Sequence, residues 1–195
     1  VPWDVRELQR YLVSDEFVDG DHPRVIALAE ELRARHPAEL DYARAAYEHV
    51  RDRIAHSFDA EDPRVSISAS ETLTNGVGLC YAKAHLLAAL LRRQGIPAGL
   101  GYQRLTDDGS GFVVHGLVAI HLDGAWHRQD PRGNRPGIDA RFSLGEERLA
   151  WPVRPELGER DDRRIHETPL PSVITALRST SDVLTLRHGG LPGEF

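Results

Sequence analysis

The stretch GLCYAKAHLLAALLRRQGIP, from Gly78 to Pro97, constrains the fold more than any other part of the chain. Its Leu, Ala and Tyr residues would cover most sides of a helix, and a helix apolar nearly all round is a buried one. Gly95 and Pro97 close it, because Gly accepts the left-handed conformation that ends a helix and Pro cannot continue one. A chain of 195 residues is long enough to surround such a helix with further layers. In its first turn the sequence sets its only cysteine, Cys80, and its only lysine, Lys83.

The flanks supply the layers. HPRVIALAEELRARH places Val25, Leu28, Ala29 and Leu32 at helical spacing, with Asp21 as the expected cap and Pro23 in the first turn. ELDYARAAYEHVRDRIAHSF does the same with Tyr42, Ala46, Val50 and Ile54. DAEDPRVSISASETLTNGVG breaks the period and reads as a long polar loop. Beyond Pro97 the period shortens. AGLGYQRL, FVVHGLVAIHL and WHRQD read as strands, the last two joined by a tight Asp123-Gly124 turn. PSVITALRS reads as a late helix. Helices followed by an antiparallel sheet make an α+β chain, with N-terminal helices and a central Cys-bearing helix packed on the sheet. One domain over residues 1–195 is expected, with a core at about 40–135 and flanking segments 1–39 and 136–195.

Charge narrows the function classes. A net charge of −6, with arginines scattered among acids, leaves no footprint for nucleic acid. No apolar run reaches membrane-spanning length. VPWDVRELQRYL lacks the layout of a secretory signal, and one cysteine forms no internal disulfide. A cytoplasmic protein without membrane or nucleic-acid partners is expected. The ten histidines include no His-x₃-His pair and there is no Cys-x₂-Cys, so neither metal nor cofactor is expected.

Cys80 carries the chemistry. The first turn of a helix offers free N–H groups and a positive dipole end, which favour a thiolate. The Cys80 amide could serve as one oxyanion donor, and Gly76 and Gly78 permit a sharp entry. The bland alternative is an inert buried thiol. A nucleophile also needs a base and an orienting group, and His115 and Asp130 lie on the second and third strands. Pairing about the Asp123-Gly124 turn joins residues whose numbers sum to about 247. The position opposite His115 is then near Arg132, with Asp130 one or two places away, a gap that a bulge or a longer turn would close. His121 sits by the turn, His127 faces the other side and His85 is off the Cys80 face. His56, in the approach to the polar loop, stays in contention.

At these residues the chain resembles a small bacterial-type member of the transglutaminase-like superfamily, a branch of the papain-like cysteine fold. The resemblance rests on GLCYAKAHLLAALLRRQGIPA, on His115 followed by Gly116, and on DGAWHRQDP, and it covers roughly residues 40–135. It implies Cys80 as nucleophile, His115 as acid/base and Asp130 as orienter. It further implies acyl transfer or hydrolysis on an amide, of a peptide or a glutamine side chain, through a thioester. An amine acceptor would make the reaction a crosslinking transamidation. A non-catalytic binding module keeping the fold is the other alternative, and the Arg-Gly-Gly approach of the arylamine acetyltransferases is missing. Tyr81, Gln103 and Trp126 are the expected substrate-side residues, Asn75 a conjectured second oxyanion donor. Lys83 either supports the thiolate or is structural. The chain departs from the family in reading His-Gly-Leu where many members have His-Ala-Trp. It also reads Asp-Pro-Arg-Gly-Asn, where Arg132 and Asn134 would bind an anion or cap a loop. No calcium loop is evident, and no oligomeric state is implied.

Overall fold

Thirteen consecutive buried residues, Cys80 to Arg92, form the axis on which the other elements stack. The computed structural model describes residues 4–195; the first three residues of the N-terminal flanking segment lie outside them. In chain order the elements are α1 (Val5–Gln9), α2 (Pro23–Arg35), α3 (Glu39–Arg53), β1 (Ala55–His56), α4 (Ser57–Ala60), α5 (Ala69–Asn75) and β2 (Val77–Gly78). Then come α6 (Cys80–Arg93), β3 (Ala98–Leu105), β4 (Val113–Leu122), β5 (Ala125–Gln129), β6 (Arg160–Asp161) and α7 (Pro171–Arg178). Helix α6 packs on α2, α3 and α5 on one side and on β3 and β4 on the other. The architecture is α+β.

The end of α6 follows from its sequence. Gly95 takes φ 79°, its amide bonds to the Arg92 carbonyl at 3.0 Å, and the Ile96 amide bonds to the Leu91 carbonyl at 3.0 Å. These two bonds satisfy carbonyls that the helix leaves orphaned. The polar side chains of this buried helix are bonded too. His85 Nδ1 lies 2.7 Å from the Ile67 carbonyl. Arg92 donates to the carbonyls of Ala98, Val13 and Glu167 at 2.9, 2.7 and 2.6 Å, tying three distant segments to one side chain.

The sheet runs in the order β5-β4-β3-β6, antiparallel throughout. Asp123 and Gly124, both at positive φ (51° and 78°), make the tight turn between β4 and β5. That turn sets the register Leu122↔Ala125 through Val118↔Gln129. A separate parallel pair, β1 with β2, places His56 opposite Gly78. The last third of the chain returns along the sheet: β6 pairs with β3, and the Val114 amide donates to the Pro192 carbonyl at 2.7 Å.

Two local expectations change. The segment expected to be a polar loop contains α5, because Ser68 and Glu71 form a reciprocal capping box around its first turn. Ser-x-x-Glu is legible in sequence, but the helix that follows is too short to show an apolar period. The cap of α2 is His22, whose Nδ1 accepts from the Arg24 amide at 3.2 Å; Asp21 instead accepts from the Ser14 hydroxyl at 2.8 Å.

Lys83 is fully buried, and its Nζ donates to the Ile54 carbonyl and, at 3.2 Å, to the Arg51 carbonyl. These are the last carbonyls of α3, at the negative end of its dipole. Lys83 is therefore a cap in trans that fixes where α3 stops and β1 begins. Burial, reinforced by Arg132, pushes its pKa from 10.5 down to about 7. Between those values the unfolded chain binds a proton that the folded chain does not, so this group adds stability as pH rises through the window. The unfolding free energy of wild type minus that of Lys83→Met should rise from pH 7 to pH 10, with a slope of at most about 1.4 kcal/mol per unit. Urea unfolding at stepped pH checks this; a flat difference contradicts it.

Candidate active site

Cys80 opens α6, and no side chain caps that helix, so the positive end of α6 is left facing the thiol. Cys80 is 8% exposed, and its sulfur accepts a hydrogen bond from the Gly116 amide of β4 at 3.4 Å. The contact requires the first turn of α6 to press directly on β4. A Cβ on Gly116 would lie 2.9 Å from Tyr81 Cδ1 and 3.2 Å from Tyr81 Cα. The glycine after His115 is thus what Tyr81 needs. The Tyr81 hydroxyl donates to the Val114 carbonyl. Tyr81 touches the cleft wall, but its side chain is buried as a strut between α6 and β4.

His115 is the third residue of β4, opposite Gln103 of β3. Asp130 is the first residue after β5, whose last pair is Gln129 with Val118. Continued one step, the register puts Asp130 beside Leu117, on the same face as His115 and one diagonal away. That diagonal is short enough for a bond without any bulge: His115 Nε2 and Asp130 Oδ2 are 2.8 Å apart. Asp130 is fully buried and also accepts from the Ala150 amide at 2.9 Å and the Arg132 amide at 3.1 Å. The Tyr47 hydroxyl holds the Asp130 carbonyl at 3.0 Å.

Electrostatics follows from this arrangement. Burial opposes a charged His115, but the Asp130 carboxylate and its hydrogen bond to the ring outweigh it, aided by the nearby Cys80 sulfur, and the ring is raised to about 10. Burial likewise opposes an ionised Asp130. The His115 ring and the two backbone amides outweigh it and hold the carboxyl below its ordinary range. Cys80, His115 and Asp130 therefore form a line in which the ring can hold or transfer a proton at one end and is oriented at the other.

The line opens into a cleft of about 620 Å³. Phe58, Leu79, Leu105, Val113, Trp151, Pro152 and Leu191 make its apolar walls, and Asp107, Asp108 and Ser110 of the β3–β4 connection stand on it as well. Arg154 and Glu159 knit that connection to the 151–159 segment, with Glu159 Oε1 accepting from the Thr106 amide at 3.0 Å and Arg154 Nη2 at 2.6 Å.

Other expected residues fall elsewhere. Trp126 is a packing residue, not a cleft wall: it lies opposite His121 near the β4–β5 turn, with its ring 4.8 Å from Tyr11 and 5.3 Å from His121. Gln103 shares the His115 face but is covered. Its amide reaches the Trp151 carbonyl at 3.4 Å and Asp161 Oδ1 at 3.1 Å, so it tethers the cleft wall without lining it. Asn75 donates to Ser66 Oγ at 2.9 Å, away from the thiol. Arg132 forms a two-pronged pair with Asp59 at 2.6 and 2.9 Å, and Asn134 brackets both backbone groups of Ala140 at 2.8 and 3.0 Å. Both close loops. Among the described residues no three metal-ligating side chains gather into a cluster.

Sequence reasoning missed Trp151. Its ring meets the His115 ring edge-on at 5.1 Å, and the residue before it supplies the Ala150 amide to Asp130. A Trp before Pro152, in the short apolar run Leu149 to Val153 between charged stretches, was the available signal. It gains meaning only when the C-terminal return brings residue 151 beside β4.

The family model of the transglutaminase-like superfamily matches residues 26–131, more than half of the chain and all three aligned side chains. The chain belongs to the transglutaminase-like superfamily. Among solved structures, a candidate cysteine protease from Cytophaga hutchinsonii is similar at TM-score 0.55 and 19% identity, over 67% of this chain and 43% of that one. The periplasmic domain of TgpA from Pseudomonas aeruginosa is similar at TM-score 0.50 and 23% identity, over 66% of this chain and 48% of that one. These likenesses show a shared transglutaminase-like fold, and the matched region spans less than half of either neighbour. No curated protein matches the sequence. Among the described residues no helix is long and apolar enough to cross a membrane.

Asp130→Asn removes the carboxylate that holds the His115 ring charged. The ring should then titrate roughly 1–3 pH units lower, as expected for losing an opposite charge at hydrogen-bond distance. Imidazole chemical shifts followed by NMR against pH read this directly, and an unmoved titration contradicts the pairing.

Proposed function

We propose that this transglutaminase-like chain is a cysteine-dependent enzyme that breaks amide bonds of peptides or proteins through a thioester. Cys80 is the nucleophile, His115 the acid/base and Asp130 the orienter. The observation that carries the reading is the His115 ring, bonded to Asp130 and borne by the residue next to Gly116, whose amide holds the Cys80 sulfur, at the wall of an open cleft. A binding module that merely kept the fold has no need of that alignment.

The steps follow from the atoms. Cys80 Sγ adds to the carbonyl carbon, and the carbonyl electron pair moves to oxygen. Collapse restores the carbonyl, breaks the C–N bond and leaves a thioester, while His115 gives its proton to the departing amine. Water, deprotonated by His115, then attacks the thioester and frees Cys80. An amine in place of water would give transamidation. The apolar walls, with Leu105, Val113 and Trp151 beside His115, suit a substrate with an aliphatic or aromatic side chain near the scissile bond.

A mixture of fluorogenic peptides should be hydrolysed by wild type and abolished by Cys80→Ala, with His115→Ala slower by about 10²–10⁴-fold. Adding a primary amine and analysing products by mass spectrometry separates hydrolysis from transfer. Equal turnover in wild type and Cys80→Ala would overturn the proposal.

A further inference from the structure

The acyl-transfer reading needs a second donor for the oxygen that becomes negative, beside the amide of Cys80. Asn75 is bonded to Ser66 and does not line the cleft. A polar side chain near the start of α6 that does line it is His56. It ends β1, and the parallel pairing with β2 sets it opposite Gly78, two residues before the nucleophile. Its ring lines the same cleft as Cys80 and His115.

His56 is an unusual residue by burial and bonding. It is 8% exposed, and its Nδ1 is enclosed with no hydrogen-bond partner. No acceptor reaches that atom, so it is the ring nitrogen less able to carry a proton. The neighbouring charges are already engaged, since Asp59 is held by both prongs of Arg132. Burial first, then Arg132, keeps the ring well below the ordinary histidine range, so it is a neutral imidazole with one N–H. The enclosed nitrogen being Nδ1, the nitrogen left to face the cleft is Nε2. The strand that carries the ring is pinned from beneath, because Lys83 Nζ holds the carbonyl of Ile54 at the entry to β1.

We propose that His56 donates a hydrogen bond from Nε2 to the carbonyl oxygen as Cys80 adds, so that it forms the oxyanion site together with the Cys80 amide. No proton is transferred in this contact; the N–H stabilises charge that exists only while the C–S bond forms and the C–N bond breaks. This inference rests on the proposed acyl transfer. It also gives the buried Lys83 a function at one remove, as a positioning residue for His56.

Two reactions of the same sulfur test it. Acylation by p-nitrophenyl acetate passes through an oxyanion; alkylation by iodoacetamide does not. His56→Phe keeps an aromatic ring without a donor, and His56→Gln keeps an N–H donor. The expected result is acylation slowed by about 10²–10³-fold in His56→Phe and largely rescued in His56→Gln, with alkylation unchanged in both. Acylation by His56→Phe at the wild-type rate overturns the inference. So does an equal loss of acylation and alkylation, which would make His56 structural. Wild type that alkylates but never acylates overturns the acyl-transfer reading itself, and the inference falls with it.

Discussion

The contact between the first turn of α6 and the first half of β4 is the constraint on which the rest depends. Gly116 lets the backbone at Tyr81 approach β4 to within ordinary contact, and its amide then reaches the Cys80 sulfur at 3.4 Å. A side chain at position 116 would push the helix away and separate the sulfur from His115, one residue along the strand. Burial of α6 on all sides sustains that pressure. The helices α2, α3 and α5 close over it from behind, and the sheet cannot recede because β3 is paired on both edges.

Around this contact, polar groups are held by backbone as much as by one another. Asp130 is fixed by two amides besides His115, and the segment that delivers one of them also lays Trp151 against the ring. Gln103 and the Arg154–Glu159 pair keep that segment in place. A buried imidazole–carboxylate pair loses hydration, which only complete hydrogen bonding offsets. Here the carboxylate has it, and the charge on the ring is directed at the sulfur.

Much of this was legible in sequence because it is local. The apolar run of α6, the Gly95 stop, the Asp123-Gly124 turn and the strand alternation are each written within a few residues. The turn alone fixes the register that puts Asp130 and His115 on one face. The sequence reading asked for a bulge or a longer turn because it counted only directly opposed residues, whereas a diagonal neighbour suffices. What sequence concealed is long-range. Trp151 reaches the site through a return of the chain with no periodic pattern, and Trp126 looked like a cleft aromatic although its position at the β4–β5 turn faces it toward Tyr11. Lys83 stood out by its rarity, but its role as a cap on α3 needs the packing of α6 against that helix to be seen.

The central claim is that His115, charged by Asp130, sets the reactivity of Cys80. The rate of iodoacetamide labelling at pH 6, in wild type and in His115→Ala, tests it most directly. The account predicts that labelling at this pH falls by at least about tenfold when the ring is removed, in proportion to the loss of an adjacent positive charge. Equal rates in the two proteins would contradict it and leave Cys80 as a buried thiol independent of its neighbour.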